Sequence, residues 1–492
     1  MSVLKKLAGE TAIYGLSHIL SRVLNFVVLA PYLINKFGED STEYGIYSDI
    51  YSYSTLLLTL LIFRLDTALF RFGSKGDLHK VLGSAFVPML IGIAAVMALL
   101  IPFAQPLATA LSYSDSPHYV RWFVYILTFD ALASLIYAKL RLESRPMRFL
   151  LYRMGNVLIN VLLIIVFFEV VIDGSLADQL QSYLGLTRMV DYVFLANLIA
   201  SAVTFLAMCI EFAKVKLSID VPLIKKMLWY AAPLVLVGIA GSVNQTFSTP
   251  IQTYFLGPEK MDNLGDAGVY AAAAKLAILL NLFTTAFNYA AEPFFFKNAD
   301  KKDAKEVYGK VALMYTIVAC IGTLGIVVFL NILIQMFPAT YQQGAAIVPF
   351  LLIAYVFLGL YYNVSIWYKL KDKTHIGALI SGTGVLVTLA VSIWLLPQVG
   401  TIASAYAALA CYIVMVVIGY LVGQRYFPVA YPVPRILSYI LATSAACYFI
   451  VVVQEVLDPA LYFAVGISIL LAFTAIAWMA DVRKALQNSH TV

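Results

Sequence analysis

The stretch Glu43-Tyr44-Gly45-Ile46-Tyr47-Ser48 returns later in the chain as Asp266-Ala267-Gly268-Val269-Tyr270-Ala271. Both copies read acid, any residue, glycine, aliphatic, tyrosine, small residue. Each follows an acidic loop and opens an apolar run. The offset is 223 residues, and in that register the apolar runs preceding the two copies superimpose over their whole length. Matching runs, loops and junctions predict a duplicated chain. An even number of apolar runs separates the copies, so the two halves share one orientation and are related by an axis along the membrane normal.

Outward from these junctions, apolar runs of twenty or more residues recur from end to end. Of 492 residues, 62% are hydrophobic and 12% charged, against about 45–50% and about 25% in a soluble domain. A water-soluble fold is excluded. Fourteen membrane spans are expected, beginning near residues 10, 44, 79, 119, 147, 188, 225, 267, 307, 345, 375, 401, 434 and 460, each at the length a crossing needs. The fold class is therefore all-α integral membrane, with two six-span lobes, 1–215 and 216–427, and two further spans in 428–492. The opening MSVLKKLAGET leads into an apolar run with no small-residue cleavage site, which predicts an uncleaved first span.

The net charge of +6 reports topology rather than nucleic-acid binding. Spans alternate sides, and the loops on the N-terminal side carry 26 Lys and Arg against 4 on the other. The positive-inside rule then puts both termini in the cytoplasm. Every loop is short, the longest lying around 173–187, so no extramembrane catalytic domain is expected. The P-loop pattern is absent. These features count against an enzyme such as a glycan polymerase or ligase and against an ATP-driven pump, leaving a channel, a secondary transporter or a scaffold. Cys209, Cys320, Cys411 and Cys447 are scattered through the apolar runs without a CxxC, which excludes a disulfide framework and a zinc ribbon. No metal site or cofactor is expected.

Charges within the spans are the natural functional candidates, because each costs ~2.5–3.5 kcal/mol at a helix centre. Three cations lie there, Arg22, Arg64 and Lys275, with three acids deep enough to neutralise them, Asp49, Asp66 and Asp130. His18, Arg22 and Asn25 share one helix face, and the repeat places Gln245 opposite Arg22. Lys275 lies about two turns inside the outer end of its span. Asp66 cannot reach Arg64 along one continuous helix, since i and i+2 face about 200° apart, so Asp130 is the expected partner of Arg22 or Arg64. Two readings stand: the cations bind an anionic ligand, or they are neutralised by these acids and lock the helices together.

The chain resembles the multidrug/oligosaccharidyl-lipid/polysaccharide exporter superfamily. Within it, the chain is most similar to the polysaccharide transporter branch, the oligosaccharide-lipid flippases of O-antigen and capsule synthesis. The resemblance rests on the span count, the two-lobe repeat with its paired junctions at Gly45 and Gly268, and the stretch Phe63-Arg64-Leu65-Asp66-Thr67-Ala68-Leu69-Phe70-Arg71-Phe72. The basic hairpin Leu140-Arg141-Leu142-Glu143-Ser144-Arg145-Pro146-Met147-Arg148-Phe149 adds to it. It implies alternating access in a bacterial inner membrane, moving an undecaprenyl-diphosphate-linked oligosaccharide. The partners implied are that lipid-linked substrate, membrane lipids and a coupling H+ or Na+. It also implies that Arg22 and Lys275 contact the diphosphate. Two relatives of the same fold remain as alternatives, a multidrug extruder and a flippase of the peptidoglycan lipid precursor. An extruder of organic cations requires a net acidic cavity, whereas the deep charges here include two well-placed cations.

Overall fold

A computed structural model describes residues 19–74, 76–172, 174–299, 301, 303–371, 373–454 and 456–483. Among the described residues every regular element is helical. Thirteen segments are long and apolar enough to cross a membrane. They are α1 (Ile19–Phe37), α4 (Leu78–Leu100), α5 (His118–Leu142), α6 (Pro146–Val171), α7 (Met189–Ala207), α8 (Val221–Thr246) and α9 (Lys260–Asn298). The series continues with α10 (Ala304–Val328), α11 (Ala339–Leu370), α12 (Thr374–Val399), α13 (Ile402–Tyr426), α14 (Val433–Gln454) and α15 (Pro459–Val482). Between α1 and α4 lie α2 (Ser41–Ile62) and α3 (Leu65–Gly73). They occupy the expected second span, but a run of tyrosines, serines and acids keeps that stretch out of the apolar thirteen. The protein is a multi-pass membrane protein. From α2 onward each expected span begins within 7 residues of its observed helix, because apolar periodicity and cap residues mark the same boundaries.

The caps follow ordinary chemistry. Asp40, Asp77, Asp220 and Asp458 precede α2, α4, α8 and α15, and each side chain accepts from the first-turn backbone N–H groups, satisfying donors that have no partner within the helix. Proline opens α6, α8 and α15, where its missing N–H costs nothing. In α1, residues Leu24–Leu29 form a π-helical stretch that ends two residues before Pro31. There the wider turn lets Ala30 donate to the Asn25 carbonyl while the proline ring is accommodated.

The expected continuous second helix is instead broken. Phe63 and Arg64 take left-handed φ values of 47° and 51°, a conformation that costs a non-glycine residue roughly 1–2 kcal/mol. The Phe63 N–H still donates to the Thr59 carbonyl at 3.2 Å, and the Arg64 carbonyl accepts from Thr67 and Ala68, each at 3.1 Å. The break thus keeps these bonds on either side of it and makes Arg64 the N-cap of α3.

The chain forms two compact units. The first comprises the residues up to Thr253 with Glu259–Gly265, and the second Tyr254–Pro258 with Asp266–Val492. A packing division and a sequence-repeat boundary are different properties: α8 falls after the lobe boundary expected at 215, yet it packs within the first unit, against α2, α3 and α4. The core of that unit joins Leu65, Leu69, Leu82, Phe86, Leu135 and Met227 from α3, α4, α5 and α8. In the second unit α11, α12 and α13 pack side by side, while α14 and α15 rest on α10.

The motif glycine Gly45 has a steric purpose in the first unit. A Cβ there would stand 1.9 Å from the Leu264 carbonyl oxygen, so only glycine lets α2 and the start of α9 approach. Gly45→Val should lower stability by about 1–3 kcal/mol, read as a lower melting temperature in detergent. Gly92→Ala, at a site with nothing within 4 Å, should leave it unchanged.

Candidate functional site

In the first unit, buried charge is organised at three levels. At the start of α9, Lys260 is folded inward: its Nζ lies 3.0 Å from Asp49 Oδ2 and donates to the Leu111 carbonyl at 3.0 Å. Tyr113 donates to the same Asp49 oxygen at 2.7 Å, and its ring lies 4.8 Å beneath the ammonium, with Tyr53 at 5.6 Å. The two charged side chains are 5% and 0% exposed. Hydrogen bonds and ring faces compensate the ammonium and Asp49 Oδ2, while Asp49 Oδ1 is buried without a hydrogen-bond partner among the described residues. Asp49 is thus a charge partner of Lys260, a residue whose place in an acidic outer loop gave no hint of burial. Nearby, Glu43 accepts from the Val190 N–H at 2.8 Å. Asp191 accepts from Thr187 and Arg188 N–H groups at 2.7 and 2.9 Å and from the Tyr119 hydroxyl.

At middle depth, Asp130 of α5 accepts from Ser201 of α7 at 3.1 Å. Ser201 also lies 3.4 Å from Asn197, which donates to the Tyr51 hydroxyl. The pairing of Asp130 with Arg22 or Arg64 expected from sequence is not the arrangement found. The hydroxyl of a facing helix reaches the acid instead. Arg22 and Asn25 are half-buried on α1, and Gln245 is exposed near the end of α8. His18 lies outside the described residues. In the second unit Lys275 is half-buried on α9, and below it Thr285 donates to Asn281 at 3.2 Å. Glu292 pairs with Lys369 at 2.7 Å, each side chain about one-third exposed.

At the third level, the helix break aims Arg64 across at α8. A Cβ on Gly238 would meet the Arg64 guanidinium at 2.9 Å, so the half-buried cation lies flat over a helix surface bared by glycine. Thr59 and Ser242 flank it, their hydroxyls 3.4 Å apart. Among the described residues Arg64 forms no ion pair. Asp66, two positions on, sits in the first turn of α3, where its charge complements the helix dipole. Its hydrogen bond comes from Thr67 at 3.4 Å.

The end of α7 carries a further network missed by sequence reasoning, since its acid lies beyond the span. Glu211 is fully buried between Lys139 at 2.7 Å and Arg148 at 2.5 Å, with Lys214 at 3.7 Å. Burial pushes the Glu211 carboxyl up, but the Lys139 and Arg148 hydrogen bonds and the surrounding positive charge outweigh it and hold the group below the usual carboxylate range.

Residues 7–299 match the family described as "Polysaccharide biosynthesis protein". The chain belongs to that family. No curated protein sequence matches it. Among solved structures it is similar to the lipid II flippase MurJ in an inward closed conformation, with 14% identity, TM-score 0.61, and 93% of this chain and 99% of that one covered. It is also similar to an outward-facing multidrug resistance MATE transporter of the MOP superfamily, at 13% identity and TM-score 0.57 over 87% of this chain and 96% of that one. The Vibrio cholerae MATE transporter VcmN in its bent form matches at 15% identity and TM-score 0.51, covering 89% and 98%. Identities this low carry the fold alone. The chain has the fold of the multidrug/oligosaccharidyl-lipid/polysaccharide exporter superfamily, as its sequence resemblance implied.

Removing one member of the Asp49–Lys260 pair strands a buried charge. Lys260→Met should destabilise by about 3–5 kcal/mol, whereas the double variant with Asp49→Asn should recover much of that loss; additive losses in thermal unfolding would show that the two do not interact. The lowered Glu211 carboxyl contributes stability that is fully present above its unfolded pKa of about 4.3 and fades as pH falls through the lower folded value. Wild type and Glu211→Gln should therefore differ in melting temperature at pH 7, and the difference should shrink as pH falls below about 4.3.

Proposed function

We propose that the protein is a flippase. It moves an undecaprenyl-diphosphate-linked oligosaccharide, a precursor of a surface polysaccharide such as O-antigen, across the bacterial cytoplasmic membrane by alternating access, with both termini cytoplasmic. The protein is a transporter and not an enzyme on this reading, with H+ or Na+ as the coupling ion. The observation that carries it is Arg64. A guanidinium within the spans, held against Gly238 and unmatched by any described acid, is suited to bind an anion with its planar fork of donors. The strained backbone that aims it is the kind of cost retained at a working site. Membership of the polysaccharide biosynthesis family supports a glycan cargo. The identity of one structural neighbour, named as a lipid II flippase, supports a lipid-linked one.

Arg22 and Lys275 are proposed as further cations that meet the diphosphate, with Asn25, Gln245 and His18 as polar contacts to the headgroup. Asp130, with Ser201 and Asn197 around it, is proposed as the group that takes up the coupling ion. The multidrug reading is disfavoured by the same arginine, since an organic cation gains nothing from an uncompensated guanidinium. A flippase of the peptidoglycan precursor would use the same chemistry and differs only in the glycan.

In vesicles carrying a fluorescent polyprenyl-diphosphate glycan, Arg64→Ala should slow translocation at least ten-fold with its melting temperature held, and Arg64→Lys should retain part of the rate. Unchanged transport by Arg64→Ala, or faster export of an organic cation than of the glycan by wild type, would overturn the reading. Single cysteines placed near residue 40 should label from outside, and those near 145 and 371 only after permeabilisation.

A further inference from the structure

A cavity of about 610 Å3 opens where the end of α3 meets the starts of α4 and α8, all within the first unit. Arg71, Lys80 and Lys226 line it, together with Asp77 and Asp220. The two carboxylates are already committed. Asp77 accepts from the His79 and Lys80 N–H groups at the N-terminus of α4. Asp220 accepts from Leu223 N–H at the N-terminus of α8 and pairs with Lys80 at 2.8 Å. Arg71 and Lys226 are different: among the described residues neither forms an ion pair. Arg71 is nonetheless held in place, its guanidinium 4.3 Å above the Tyr230 ring. The ring contact holds the guanidinium at the cavity wall, and a guanidinium restrained there suits bidentate binding of a phosphate.

Position along α8 connects this cavity to the deeper cation. Tyr230 beneath Arg71 and Gly238 beneath Arg64 are eight residues apart, about 12 Å along the axis at 1.5 Å per residue. The floor of the cavity, with Val81, Pro222 and Leu223, is apolar, as suits a group that enters attached to a lipid tail. Basic pockets between spans at the membrane surface bind phosphate-bearing lipid headgroups.

We propose that the Arg71–Lys226 cavity is a binding site for the phosphate of a lipid headgroup, a first station from which a lipid-linked diphosphate passes to Arg64. The inference rests on the flippase reading for its purpose but not for its chemistry. The phosphate has two possible sources, the diphosphate of a polyprenyl-linked glycan and the headgroup of an anionic phospholipid of the bilayer.

The test uses the full chain in phosphatidylcholine nanodiscs containing either polyprenyl diphosphate or phosphatidylglycerol, with bound lipid counted by native mass spectrometry. The Arg71→Gln, Lys226→Gln double variant should bind the phosphate lipid at least ten-fold more weakly than wild type, and Arg71→Lys with Lys226→Arg should restore most of the binding. Lys226→Glu alone, at an exposed position, gives a second variant if the double variant unfolds. Loss of polyprenyl diphosphate alone identifies the substrate's first station. Loss of phosphatidylglycerol, alone or with the diphosphate, identifies a headgroup site also open to bilayer lipid. Unaltered binding of both lipids in folded variants overturns the proposal. That outcome alongside normal glycan transport by wild type leaves the flippase reading standing, whereas failure of transport by wild type removes that reading without touching the binding result.

Discussion

A bilayer supplies no water to the groups inside it, and this one constraint orders the molecule. Backbone N–H and C=O groups must find partners within the chain, so every described regular element is a helix. Where a helix is interrupted, as at Phe63 and Arg64, the Thr59 and Arg64 carbonyls still receive backbone hydrogen bonds. Side-chain charges face the same demand more severely. Several meet it by local compensation: Asp49 with Lys260 and Tyr113, Glu292 with Lys369. Against that background the Arg64 guanidinium stands out, since among the described residues it forms no ion pair.

The route from sequence to that resource passes through backbone strain. Two consecutive left-handed residues end α2, turn the chain, and start α3 with Arg64 at its N-cap. The turn carries the side chain towards α8, where Gly238 offers a surface without a Cβ. Seven residues further on, Arg71 reaches the same helix and stacks on Tyr230. One short segment, Phe63–Phe72, therefore delivers two guanidiniums to one neighbouring helix, and the apolar core from Leu65, Leu69 and Leu82 holds it there.

Fold and function part company at this point. The same architecture serves proteins named as lipid flippases and as multidrug transporters, so the architecture does not choose among cargoes. The choice lies in which charges are left uncompensated. A site that leaves acids free favours cations, and one that leaves arginines free favours anions, because each buried charge without a partner is stabilised by the opposite charge of the ligand.

Apolar length and capping residues are local properties, and they were legible along the chain. Span positions from Ser41 onward, the all-helical class and the family resemblance all followed from runs, junctions and motifs. The positions of Arg64 and Asp130 within apolar runs were visible in the same way, since a charge in such a run needs no fold to be seen. Partnership is not a local property. Lys260 looked like a loop cation and is buried on Asp49; Asp130 looked like an arginine's partner and is met by Ser201. The break at Phe63–Arg64 carries no glycine or proline to announce it. Which charge meets which group depends on distances of a few ångströms between segments tens or hundreds of residues apart, and only the packing of those helices sets them.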